Sequence, residues 1–289
     1  MWDLIWSICC SSIIFVVFKL FKTYKADTFN AIIVNYFTAL GMGILVNQEP
    51  ILFEELAQKT WLTGAFLLGA FFILIFNLMA ATSQKLGVSV ASVATKMSLA
   101  IPVIAGLILY EEHLNTMQFI GIGLALFAVY FTAYKEKRHG LNAELRTMIL
   151  PLLVFLGSGI IDTSLKYLQH TLIPENEYSL FSAVVFGFAG LTGILVLLIK
   201  KPETLIPLKS VNILGGIALG IPNFFSIYFL LRALKSDGLN SASVFTLNNV
   251  AIVMLTTLMG IVLFRESLSR KNWIGILLAI ISILLISLL

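Results

Sequence analysis

The chain has 289 residues, of which 59% are hydrophobic and 12% charged, and its mean hydropathy is +0.98. A soluble globular domain carries roughly 25% charged residues, so half of that surface charge is missing and an ordinary soluble fold is excluded. The formal net charge of +4 is too small to point to nucleic acid and bears instead on how loops are oriented.

Spanning ~30 Å of hydrocarbon takes about 20 helical residues. Apolar stretches of that size fall near 2–22, 29–47, 62–83, 89–110 and 116–134, then near 147–168, 178–199, 211–233, 242–264 and 272–289. The pattern predicts an all-α membrane protein of ten transmembrane helices joined by short loops. The first stretch, "MWDLIWSICCSSIIFVVF", lacks a basic n-region and a cleavage motif and reads as a retained span. Its adjacent Cys9 and Cys10 read as small hydrophobes rather than as a disulfide or metal site.

Polar residues are concentrated in particular spans. Span 2 carries Asn35, Tyr36 and Thr38, and span 3 carries Asn77. Span 4 carries Ser92, Thr95, Lys96 and Ser98, followed by Pro102. Span 6 carries Asp162, Thr163, Ser164 and Lys166. Span 8 carries Asn223, Ser226 and Tyr228 with Pro222, and span 9 carries Thr246, Asn248 and Asn249. Lipid does not tolerate so many polar groups, so they face protein or water. Any one of them can serve as an interhelical hydrogen bond; together they argue for a polar cavity. Each proline removes a backbone donor, leaving the carbonyls of Ser98 and Ala218 without their usual partners, and predicts a kink there. Gly216 and Gly220 give span 8 a small-xxx-small face. Spans 5 and 10 are almost free of polar side chains, which assigns them to the lipid-facing periphery or to a homodimer contact.

Lys96 is the most costly of these residues, because a charge near the bilayer centre is unfavourable by at least ~2.5 kcal/mol. It lies about seven residues, or ~11 Å, inside its span, beyond the ~6 Å that a snorkelling lysine stem covers. Lining a wet cavity explains it better, where it would hold the carboxylate or phosphate of a solute as a point charge. Asp162 has two open readings. It can pair with Lys166 one turn on, in the favourable acid-then-base order, or it can exchange protons as a membrane-buried carboxylate. A direct Lys96–Asp162 bridge would span ~10 Å along the membrane normal, so a cavity bridged by water or substrate is expected between them.

The two sets of five spans resemble each other. A shift of 154 lays "YEEHLNTMQFIGIGLALFAVY" on "FRESLSRKNWIGILLAIISIL", matching Glu112 with Glu266, Gln118 with Asn272 and Gly121 with Gly275. The repeats are 1–138 and 139–289. Five spans is an odd number, so the second repeat enters the membrane inverted, an architecture that places substrate near the midplane where the halves meet. Asn115 and Ser269 are placed as N-caps of spans 5 and 10, Gln118 completes a capping box, and Gly121 and Gly275 let a neighbouring helix approach. Glu112 and Glu266 belong to structural turns on opposite membrane faces.

The duplicated E-x-L-[N/S]-x-x-[Q/N]-x-x-G resembles the end of each EamA-type domain of the drug/metabolite transporter superfamily, and the resemblance covers nearly the whole chain. It implies a secondary transporter of a small metabolite in the cell (inner) membrane, with no cofactor. The basic residues usual in the second loop and C-terminal tail of such proteins are absent. The substrate-contact candidates are Lys96, Asn35, Tyr36, Asn77, Asn223, Tyr228, Asn248 and Asn249, with Asp162 as the proton-coupling candidate. A membrane-embedded enzyme is the rival class, yet His113, His139 and His170 lie at loops or helix ends without ligand-like spacing, and no P-loop is present. A scaffold would lack the central polar cavity. Fourteen of the 19 Lys/Arg fall in loops 1–2, 3–4, 5–6, 7–8 and 9–10 or the adjoining helix ends, which places those loops in the cytoplasm and both termini outside. The resemblance implies the opposite, with both termini inside; the charge count is favoured.

Overall fold

The structure is a computed structural model that describes residues 2–47, 56–109, 116–134, 141–174, 177–200, 209–234 and 241–287. These residues contain eleven helices and no strand: α1 (Trp2–Thr23), α2 (Thr28–Val46), α3 (Leu62–Leu86), α4 (Val88–Met97), α5 (Ala100–Leu109), α6 (Thr116–Ala133), α7 (Leu141–Thr171), α8 (Tyr178–Lys200), α9 (Ser210–Leu234), α10 (Ser241–Phe264) and α11 (Arg270–Ser287). Helices α4 and α5 share the fourth span, so the eleven make ten crossings. Eight stretches are long and apolar enough to cross a membrane unaided, and the chain is a multi-pass membrane protein.

The turns follow from local chemistry. After α1, Lys25 adopts a left-handed φ of 53° and the amide of Ala26 returns to the carbonyl of Phe21 at 2.9 Å, the αL closure that ends many helices. Asp27 then caps α2 by accepting from the Asn30 amide at 2.9 Å. Between α3 and α4 the only linker residue is Gly87, at φ 125°, a conformation that side chains oppose.

The two repeats interleave. The most extensive pairing is α6 on α11, followed by α9 on α2 and on α1, and α8 on α2 and on α3. Glycines set these approaches. A Cβ at Gly216 would strike Val34, one at Gly220 the backbone of Asn35, and one at Gly69 the backbone of Ala189. The small-xxx-small face of span 8 therefore has α2 as its partner. Spans 5 and 10 turn some large side chains outward, such as Phe119 and Trp273, but their glycine faces meet each other. Gly121 lies against Ile286 and Leu285, and Gly275 against the backbone of Thr132. The neighbouring helix that Gly121 and Gly275 were expected to admit is, for each, the other helix of the α6–α11 pair.

At the start of α11, Ser269 and Asn272 cap each other: the Asn272 amide donates to Ser269 Oγ at 3.2 Å, and the Ser269 amide to Asn272 Oδ1 at 2.9 Å. Asn272 Nδ2 also donates to the carbonyls of Phe131, Thr132 and Tyr134, closing the end of α6. Gly275→Ala should lower the melting temperature in detergent, since overpacking costs ~1–3 kcal/mol. Gly123→Ala is the control, because its Cβ meets nothing within 4 Å and alanine is the better helix former. Equal melting temperatures for the two variants would show that the α6–α11 crossing tolerates more bulk than this packing allows.

Candidate functional site

Helix α4 is the centre of the bundle, with eight of its ten residues buried, packed against α3, α6, α7 and α10. Its N-terminus carries unsatisfied amides that favour negative charge. Glu266 supplies it from the turn after α10: the Val88 amide donates to Oε1 at 2.8 Å and Ser89 Oγ to Oε2 at 3.4 Å. Lys19 of α1 stands 3.5 Å from the same carboxylate. Any side chain at Gly87 or Gly260 would collide with Glu266. Glu266 is therefore the cap of a helix 178 residues away in sequence, a partner that no local motif discloses. Glu112, its counterpart in the first repeat, lies outside the described residues.

The other end of α4 is broken. Residues 98 and 99 leave the helix before α5 begins at Ala100. Pro102 cannot donate to the Ser98 carbonyl, which accepts instead from the Ile101 amide at 2.9 Å. The expected kink is thus an interruption, displaced toward the N-terminus of the proline by one turn. Pro222, by contrast, lies inside an uninterrupted α9.

The break meets α7. Ile160 and Tyr167 are 49% and 46% exposed, on the outer face of α7. Asp162 follows Ile160 by two residues, ~200° around the helix, on the stripe that holds buried Phe155 and Ser158. It is turned away from that outer stripe, and its side chain is nonetheless exposed. Ser98 Oγ lies 3.2 Å from Asp162 Oδ2 and 2.5 Å from the Thr95 carbonyl. Lys96, half-buried, is electrostatically coupled to Asp162 but forms no salt bridge with it. Each charge lies within electrostatic reach of the other without a direct bridge. The side chain of Lys166, the expected helical partner of Asp162, lies outside the described residues.

The other candidates form separate knots. Asn223 Nδ2 donates to Asn35 Oδ1 at 3.2 Å, joining α9 to α2 through two buried amides. Asn248 Oδ1 accepts from Ser7 Oγ at 3.3 Å, and the same hydroxyl lies 2.8 Å from the Ser226 carbonyl. Asn77 Nδ2 donates to the Ile73 carbonyl of its own helix at 2.7 Å. Asn249 is 8% exposed and has no hydrogen-bond partner among the described residues. Tyr36 is fully buried beside Phe76 and Phe186, its hydroxyl without a partner. Tyr228 accepts from Arg232 at 3.5 Å near the end of α9. Thr256 Oγ1 donates to Ser92 Oγ at 2.7 Å, tying α10 to α4 through a pair that sequence alone does not match.

At one membrane face, Glu177 clamps the start of α3 to the start of α8. Lys59 Nζ donates to Oε1 at 2.7 Å and Trp61 Nε1 to Oε2 at 2.6 Å, while the buried Trp61 ring packs edge-on against Phe181. These hydrogen bonds, that from Lys59 foremost, hold the Glu177 carboxyl below the usual range for glutamate. A carboxyl depressed on folding contributes stability that is present above its ordinary value and is lost as pH falls through the depressed one. Acidification through that depressed value should therefore release the clamp. In a variant keeping Trp61 as its sole tryptophan, indole fluorescence should show an acid transition that Glu177→Gln removes; an identical transition in both would assign the acid sensitivity to another group.

Both halves of the chain, residues 2–134 and 145–288, match the EamA-like transporter family. A curated protein of Haemophilus influenzae (strain ATCC 51907 / DSM 11121 / KW20 / Rd), described as an uncharacterized protein, is 25% identical over 287 residues, 98% of this chain and 96% of its own length. A solved structure described as "Crystal structure of protein" superposes with a TM-score of 0.58 at 14% identity, over 98% of this chain and 97% of that one. That likeness concerns the fold alone.

Proposed function

The chain belongs to the EamA-like transporter family, membrane transporters of small molecules, and on that premise we propose a secondary-active carrier of a small anionic or zwitterionic metabolite, such as an amino acid, working by alternating access. The observation that carries this reading is Asp162 beside Lys96 at the break in span 4. Broken helices near the midplane are where inverted-repeat carriers hold their substrates. Lys96 would bind the carboxylate or phosphate as a point charge, and Asp162 would exchange the coupling proton. On this reading Asn35, Asn223 and Asn248 hold helices together, and Asn77 and Tyr228 bond within their own helices. Asn249 and the Tyr36 hydroxyl, without a partner among the described residues, turn to solute when the bundle rearranges.

The test is counterflow in proteoliposomes with a panel of amino acids and small carboxylates, with and without a proton gradient. Saturable counterflow of one solute supports a carrier; conduction without saturation supports a channel, and no flux of any panel member removes the substrate class. We place the chain in the cell inner membrane with loops 1–2, 3–4, 5–6, 7–8 and 9–10 in the cytoplasm, following the Lys/Arg count. A C-terminal alkaline phosphatase fusion should then be active; activity of a reporter that folds only in the cytoplasm would reverse the orientation.

A further inference from the structure

Thr95, Ser98 and Asp162 form a chain of acceptors and donors that spans the break in the fourth crossing. In an unbroken helix the Thr95 carbonyl would accept from the Leu99 amide. Here the Leu99 amide turns to the Lys96 carbonyl at 3.4 Å, and the Ser98 hydroxyl serves Thr95 instead at 2.5 Å. The same Ser98 oxygen lies 3.2 Å from Asp162 Oδ2. A serine hydroxyl has one hydrogen to give and lone pairs with which to accept. When Asp162 is protonated it donates to Ser98, Ser98 donates to Thr95, and every group in the chain is satisfied with the helix broken. When Asp162 is ionised it becomes acceptor-only and competes for the single Ser98 hydrogen. If Asp162 takes it, the carbonyl of half-buried Thr95 loses its partner within a membrane-spanning helix, a state that proteins avoid. The Leu99 amide is the nearest group able to restore it, and that bond rewinds the helix.

The geometry points to Ser98 as a positioning residue that converts the protonation state of Asp162 into winding of the α4–α5 break. The inference rests on the reading of Asp162 as the proton-exchanging group and adds the means by which that exchange moves the backbone. Lys96 on α4 is the charged group facing Asp162 among the described residues; α3, α5 and α6, which also pack on α7, present none to it. Ionised Asp162 therefore draws on Lys96 as well, and that attraction pulls the end of α4 toward α7 whatever Ser98 does. Among the described residues, Ser98 alone links the carboxyl to a backbone carbonyl.

The test needs no substrate. Full-length protein in lipid nanodiscs is titrated while infrared difference spectra report protonated carboxyl and hydrogen exchange reports the amides of residues 98–101 and 103, corrected for intrinsic pH dependence. The Asp162 band is the one that Asp162→Asn removes. In the wild type, protection at Leu99 should rise by about fivefold as that band disappears, what one net hydrogen bond supplies. In Ser98→Ala the band should still titrate while protection stays level; Ser98→Thr, which keeps the hydroxyl, should restore the coupling. If Ser98→Ala shows the wild-type rise in protection, Ser98 is not the link, and proton exchange at Asp162 stands without it. If no band titrates in the wild type, the proton-exchange reading itself fails and takes this inference with it.

Discussion

Lys96→Met is expected to fold like the wild type and to bind its solute roughly 10- to 150-fold more weakly, the loss of a hydrogen bond to a charged group worth ~1.5–3 kcal/mol. Methionine keeps the length and apolar stem of lysine and removes only the ammonium. The substitution therefore separates packing from charge: a folding role predicts lower expression and melting temperature, whereas a binding role predicts normal values and a raised KM. Lys96 is half-buried at the last turn of α4 and makes no salt bridge with Asp162, so its ammonium keeps donors for a solute. Counterflow measured over a concentration series decides the matter. Unchanged affinity in a well-folded Lys96→Met protein would exclude Lys96 from the substrate contact.

Asp162→Asn is expected to express near wild-type level and to flatten the pH dependence of transport. The amide is isosteric with the carboxyl and can still accept from Ser98 through Oδ1, so the contact between α7 and the break in span 4 survives. What it cannot do is gain or lose a proton. Gradient-driven uptake should fall at least tenfold while solute exchange, which needs no net proton movement, is retained; a tenfold loss corresponds to about 1.4 kcal/mol. A variant with the wild-type pH profile would leave Asp162 a structural acceptor for Ser98 and no more.

The ten crossings and their duplication were legible because each rests on composition and on short identities such as Glu112/Glu266 and Gly121/Gly275. The breaking effect of Pro102 was legible too, since a missing donor is a local fact. What it did to span 4 was not, because the interruption also depends on Ser98 finding Thr95 and Asp162, and Asp162 reaches it from another helix. The i,i+4 spacing drew Asp162 toward Lys166, but helical phase alone turns it away from the lipid-facing stripe of Ile160 and Tyr167. Glu266 read as a turn residue because its client amide, that of Val88, belongs to the opposite repeat. Asn35 and Asn223, both marked as site candidates for their polarity, hold each other. Single polar residues in a membrane span announce that they need a partner without saying which kind.

The interleaving of the repeats bears on how the protein is made. Helices α2, α3 and α6 press their closest faces on α9, α8 and α11, all of which the ribosome delivers later. The first five crossings must therefore wait in the bilayer with glycine grooves and buried amides uncovered, a period when insertion chaperones or lipids have to shield them. Neither half would be a finished protein alone. Co-expressed as separate polypeptides, however, the two should find each other in the membrane and assemble.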